Sequence, residues 1–155
     1  MMRTARWDTG EPIPNTPFRT LIPADATAGS FSCHSAVIEP HRLVVPHIHT
    51  REDEFSFVLH GQLGARIGDD DVIVDEGAFL FQPRNVLHAL WNMTDADVVL
   101  LVFIAPAGFE EFFREIGALG QAAKPEDIHD VNARYGHILC AELIPEISDR
   151  YQLTP

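Results

Sequence analysis

Three of the eight histidines stand at spacings that can do chemistry. The first stretch reads Pro46-His47-Ile48-His49-Thr50-Arg51-Glu52-Asp53-Glu54, and Gly61 follows seven residues after Glu54. Side chains on a strand alternate with a period of two, so His47 and His49 point to one side, near enough to share a metal ion. Glu54, arriving from a neighbouring strand, can add an oxygen ligand. The second stretch runs from Gly77 through Pro83-Arg84-Asn85 to His88 and Asn92, and a strand after that tight turn offers His88 as a fourth ligand. His47, His49, Glu54 and His88 together suit one divalent first-row transition metal per chain, with positions left open for water or substrate. Such nitrogen and oxygen donors accept iron, manganese, nickel, cobalt, copper or zinc. His34, His60, His129 and His137 belong to no such pattern and read as strand, turn or helix-surface residues.

A metal site of this kind needs rigid strands to hold it. From Ser30 to about Ala105 the chain breaks into short apolar or alternating runs, among them Phe31 to Ile38, Glu54 to Leu59, His88 to Trp91 and Val98 to Ile104. Turn residues separate them, as at Glu39-Pro40, Gly68-Asp69-Asp70-Asp71 and Pro83-Arg84-Asn85. Many short strands at close spacing predict an all-β sandwich or barrel. Before it, residues 1–29 hold Pro12, Pro14, Pro17 and Pro23 and read as an extended arm. After it, residues 106–155 change to a helical period. Phe109, Phe112, Phe113 and Ile116 make one helix face, with Gly117 as its expected end. A second helix is expected from Pro125 to Tyr135 with Gly136 as the stop, and a third helical piece near Pro145. The three segments form one domain.

Eight of the ten phenylalanines, all but Phe18 and Phe31, lie between Phe55 and Phe113. If Glu54 faces inward, Ser56 and Val58 do too, and Phe55 and Phe57 face the other way. Ser56, Val58, Phe79, Phe81, Phe109 and Phe112 are therefore the expected walls of a pocket beside the metal. A dry pocket of this kind suits a flat, largely apolar small molecule.

Composition narrows the classes of partner. Eleven basic residues face 23 acidic ones, a net charge of −12, and Lys124 is the only lysine. A surface this acidic repels phosphate backbones and anionic lipids, so neither nucleic acid nor a membrane is an expected partner. The apolar run Val98 to Ala105 is too short to span a bilayer, and no secretory signal follows Arg3 and Arg6. Cys33 and Cys140 lie in no metal-type spacing and read as reduced thiols, which predicts a cytoplasmic location. The arm without an evident partner and the outward Phe55 and Phe57 predict a homodimer.

The two histidine stretches resemble the paired motifs of the cupin superfamily. The first motif is Gly, five residues, His-x-His, three or four residues, Glu, six residues, Gly, and it matches from His47 to Gly61. The second is Gly, five residues, Pro-x-Gly, two residues, His, three residues, Asn, and it matches at Gly77, Pro83, His88 and Asn92. His41 replaces the leading glycine of the first motif, and Asn85 replaces the turn glycine of the second. Asn tolerates a left-handed backbone, so that turn can survive. The resemblance implies a double-stranded β-helix, or jelly-roll barrel, with a short α-helical C-terminal extension. The run Pro106 to Gly117 and the ending Arg134-Tyr135-Gly136 are similar to the tail of small single-domain cupins related to quercetin 2,3-dioxygenase. That likeness implies an oxidoreductase using O2 on an aromatic or enolic, flavonol-like compound. It also implies two roles for Glu54, as ligand and as the catalytic base that takes the substrate's hydroxyl proton. Two alternatives share the site: a metal-dependent isomerase, cyclase or decarboxylase, and a barrel that binds a small ligand without turning it over.

Overall fold

A computed structural model describes residues 4–155, so residues 1–3 of the expected arm lie outside the described residues. The strands are β1 (Glu11–Pro12), β2 (Phe18–Ile22), β3 (Ser32–Ile38), β4 (Leu43–His49), β5 (Asp53–His60), β6 (Gln62–Ile67), β7 (Asp70–Asp75), β8 (Phe79–Gln82), β9 (His88–Trp91), β10 (Val98–Ala105) and β11 (His137–Leu139). They form two antiparallel sheets. One has the order β1-β2-β3-β10-β5-β8, the other β11-β4-β9-β6-β7. The turn residues fall between strands as expected, and the positions with the left-handed backbone that turns demand include two where the resembled motifs carry glycine. Asn85 has φ 62° and His41 has φ 56°. These are the two places where a glycine was replaced, so both substitutes carry the glycine-like conformation.

The inward faces of the two sheets meet in a core that includes Val58, Leu63, Ala65, Leu90, Leu100, Val102 and Ile104. Two segments expected to stand apart are part of this body. The arm is not free: β2 pairs antiparallel with β3, setting Arg19 opposite Ser35, and β1 pairs with β2. Its apolar residues explain why, since Ile13 and Leu21 are buried and Phe18 stacks on Phe113 at 4.0 Å. The extension also returns to the barrel, because β11 adds a strand beside β4.

Helix α1 (Glu110–Leu119) buries Phe112 and Phe113 against the core, the face that its spacing predicts. It runs past Gly117 and ends at Gly120, φ 64°. Gly117 is tolerated inside the helix because the arm passes there, and a Cβ would strike the carbonyl of Pro14. Glu110 is buried at the helix start, where its carboxylate accepts the backbone N–H of Ala24 at 2.9 Å and of Gly108 at 2.8 Å. Helix α2 (Pro125–Tyr135) has the expected limits, with Gly136 at φ 65° as its stop. Helix α3 (Ile144–Tyr151) packs Ile147 and Tyr151 on Trp91 and Ala89, on the outer side of the second sheet.

Candidate metal centre

The register of β4 against β9 sets His47 directly opposite His88, and the alternation along β4 places His49 on the same face. The turn before β9 is tied to the end of β4, because Asn85 N–H donates to the carbonyl of His49 at 2.7 Å. One nitrogen from each of His47, His49 and His88 lies within 4.8 Å of the others, and all three side chains are buried. Their ring centroids are 4.3 to 5.3 Å apart.

Two of these rings are turned by the backbone. His47 Nδ1–H donates to Val45 O at 2.7 Å, and His88 Nδ1–H donates to Val86 O at 3.3 Å. A carbonyl only accepts, so Nδ1 carries the proton in each and Nε2 keeps its lone pair. This is how ligating histidines are oriented in metal sites. His88 Nε2 is buried with no hydrogen-bond partner, as is His49 Nδ1. An unpartnered buried ring nitrogen beside two further imidazoles fits a metal ion, which would satisfy it. Burial, reinforced by the neighbouring histidines, holds His47 well below its ordinary pKa. Burial also lowers His88, although Glu54 opposes it. His47 and His88 are therefore neutral, the form that binds metal.

Glu54 stands at the edge of the trio. Its Oε2 is 3.5 Å from His49 Nε2, and its Oε1 accepts the amide of Gln82 at 2.6 Å. Burial alone would raise its pKa, but hydrogen bonds from His49 and Gln82 and the field of His88 outweigh that and lower it. The dry pocket does not make Glu54 a stronger base; its partners keep it ionised. On the other side of His49, Glu52 Oε2 lies 3.9 Å from Nδ1, and burial raises its pKa.

A cavity of about 760 Å³ opens from His47, His49 and Glu54. Leu90, Leu100 and Val102 line it from the barrel, and Phe109, Phe112 and Phe113 from the extension. Phe109 and Phe112 thus lie where the sequence placed them. Ser56 and Val58 do point inward and are fully buried, but neither lines the cavity; Val58 belongs to the packed core. Phe79 and Phe81 correct the expectation. They are 67% and 50% exposed on the outer face of the sheet. The reason is register: Phe81 pairs with Phe55 and Phe79 with Phe57, so Leu80 and Gln82 take the inward positions beside Ser56 and Glu54.

Three polar residues escaped the sequence reading. Gln82, 1% exposed, orients Glu54. His137 and Asn132 come from the extension and line the cavity beside the trio. His137 lies 4.7 Å from His47 between ring centroids, and burial pushes its pKa down to about 3. It sits in a three-residue strand straight after the helix stop, too short for any alternation to be visible.

The fold and the site together define a cupin-type double-stranded β-helix with a metal-type histidine cluster. Residues 34–104 match the Cupin_2 family, described as a cupin domain. A predicted oxalate decarboxylase of Thermotoga maritima superposes with a TM-score of 0.60 at 20% identity, covering 66% of this chain and 98% of that one. An uncharacterized conserved protein with a double-stranded β-helix domain from Klebsiella pneumoniae gives 0.59 at 14% identity, covering 70% and 93%. KdgF from Halomonas sp. gives 0.55 at 13% identity, covering 61% and 81%. At these identities the likeness is one of fold. A search of the curated proteins finds no match. Among the described residues, no helix is long and apolar enough to cross a membrane.

Proposed function

We propose that this protein is a metal-dependent dioxygenase that acts on a flat, largely apolar aromatic or enolic compound with O2. The observation that carries the reading is a trio of buried imidazoles at one end of a cavity of about 760 Å³ walled by aliphatic and aromatic carbon. His47, His49 and His88 would hold one divalent transition metal, with Glu54 as the fourth donor. When bound, the ion would supply Lewis acidity toward a substrate oxyanion and a place for O2 to approach. The chain does the rest. Phe109, Phe112 and Phe113 hold a flat ring system and exclude water. Glu54, kept ionised and with Oε1 held by Gln82, receives the substrate's hydroxyl proton at Oε2.

Oxygen uptake with a flavonol, on metal-loaded protein, tests this reading. Replacing Glu54 with Gln keeps size and an oxygen but removes the proton acceptor, and should cut turnover about a hundredfold or more. Equal rates in wild type and variant would remove Glu54 as the base. Turnover without O2 would move the protein to the isomerase, cyclase or decarboxylase reading. Binding without turnover would make it a ligand-binding barrel.

The working form is a homodimer, and the two free, buried cysteines suit the cytoplasm. The arm no longer argues for the dimer, since β3 covers it. The outer face of β5 and β8 does. Phe55 stacks on Phe81 at 4.8 Å and Phe57 packs on Phe79 at 4.7 Å, and this patch lies at the edge of its sheet. One end carries the Arg84–Asp53 ion pair, and the other carries Glu76 beside His60. A second copy packed face to face with its strands reversed covers the aromatic rings and sets Arg84 across from Glu76.

A further inference from the structure

The imidazole that the C-terminal extension contributes has a chemistry different from that of the three on the barrel. His137 opens β11, and its register puts it opposite His49, on the cavity side of the sheet. It is not one of the clustered metal-type nitrogens, which come from His47, His49 and His88. Its Nδ1 lies 2.8 Å from Asn132 Oδ1. An amide oxygen only accepts, so Nδ1 carries the ring proton, and Nε2 is the acceptor that His137 has left to offer. The ring cannot drift, because it stacks on Phe112 at 4.7 Å. Its backbone is fastened to the residues that follow His49. Thr50 donates twice to the carbonyl of Gly136, through N–H at 3.0 Å and Oγ1–H at 2.8 Å, and Arg51 Nη1 donates to Arg134 O at 2.9 Å. His137 is thereby held in step with His49.

Two groups beside the metal-type trio are therefore acceptors: Glu54 on the barrel and His137 on the extension. A substrate with one hydroxyl satisfies only one of them. The other would be a desolvated polar atom without a partner, which weakens binding by about tenfold or more. We propose that His137 is a substrate-positioning residue that accepts a hydrogen bond at Nε2 from a second hydroxyl, and so selects compounds with two neighbouring hydroxyls, such as catechols and hydroxy-enols. This rests on the dioxygenase reading and adds a donor requirement to it.

The test uses metal-loaded full-length protein and two probes, catechol and its monomethyl ether, 2-methoxyphenol. The ether keeps the ring and one acidic hydroxyl and lacks the second donor. Dissociation constants come from calorimetry, and metal content from elemental analysis. His137→Phe keeps an aromatic ring against Phe112 and removes the acceptor. It should erase the preference of about tenfold for catechol over the ether, with catechol weakened and the ether unchanged or tighter, and leave metal content unchanged. His137→Gln, which restores an acceptor oxygen, should recover part of the loss. Should the Phe variant fail to fold, Asn132→Leu serves instead, since it frees the tautomer without touching the ring and should give the same selective loss. Equal weakening of both probes would make His137 a packing residue and overturn the proposal. Loss of metal from the Phe variant would make it a ligand and also overturn it. If wild type binds neither probe, the aromatic-substrate reading itself falls, and this proposal with it.

Discussion

At the scale of single residues the site is governed by which nitrogen keeps its lone pair. His47 and His88 are each turned by the carbonyl two residues earlier, so the strand itself selects the tautomer. Replacing His49 or His88 with Ala should abolish metal binding while the barrel still folds, because apolar packing carries its stability. Elemental analysis alongside circular dichroism checks this, and full metal content in both variants would show that other residues ligate. His34 is a buried histidine of another kind. It lies buried on β3, its Nε2 is 3.0 Å from Ser32 Oγ, and Phe18 of β2 and Phe113 of α1 flank it edge-on. Burial lowers its pKa from 6.5 to about 4, against smaller raising effects of Glu110 and Glu54. The unfolded chain therefore binds a proton that the folded chain refuses, and stability falls as pH drops from about 6.5 toward 4. At about 1.4 kcal/mol per unit, His34 accounts for about 3 kcal/mol of that fall. His34→Gln does not titrate, so its denaturation free energy should change less than that of wild type between pH 7 and pH 4 by about this amount. Equal changes would mean that burial is not what holds His34 neutral.

At the scale of elements, close approaches decide how the strands and helices meet. Gly64 on β6 faces Trp91 on β9, and a Cβ there would run into the indole ring. Trp91 in turn stacks on Tyr151 of α3 at 4.6 Å, so the glycine makes room for the ring that anchors the last helix. Gly64→Ala should cost about 1–3 kcal/mol, read as a lowered denaturation midpoint, and should also loosen α3 in hydrogen exchange. An unchanged midpoint would mean that Trp91 can shift without loss. The same helix is held by polar contacts as well. Arg66 of β6 and Arg150 and Tyr151 of α3 all meet Asp71 of β7, which brings the carboxyl of Asp71 down to about 2. The extension is thus joined to the second sheet on two sides: β11 beside β4 at the cavity, and α3 across β9 on the outside.

At the scale of the whole molecule, a net charge of −12 opposes self-association, and the patch of Phe55, Phe57, Phe79 and Phe81 favours it. The patch presents apolar rings where the copies would meet, so the dimer should form and should tighten as salt screens the remaining repulsion. Sedimentation at micromolar concentration should give a dimer for wild type and a monomer for the double variant Phe79→Ser, Phe81→Ser. A monomeric wild type would sink the dimer. Much of this molecule was legible in the sequence by itself: eight strands from Ser32 to Ala105, the helix from Pro125 to Tyr135, and the convergence of His47, His49 and His88. Strand alternation and turn chemistry are local, and the local pattern was strong there. Side-chain direction on β5 was legible for the same reason, and it already implied the outward position of Phe79 and Phe81 once β8 was paired with it. That pairing was not local. Nor was the docking of the arm on β3, or of β11 on β4. Each depends on backbone groups far apart in the chain finding one another, and a five-residue or three-residue strand carries too little periodicity to announce its partner. Only the tertiary structure, by closing the barrel edge with β11, decided that the cavity beside the three histidines would contain a fourth imidazole, and that Asn132 would set which of its nitrogens carries the proton.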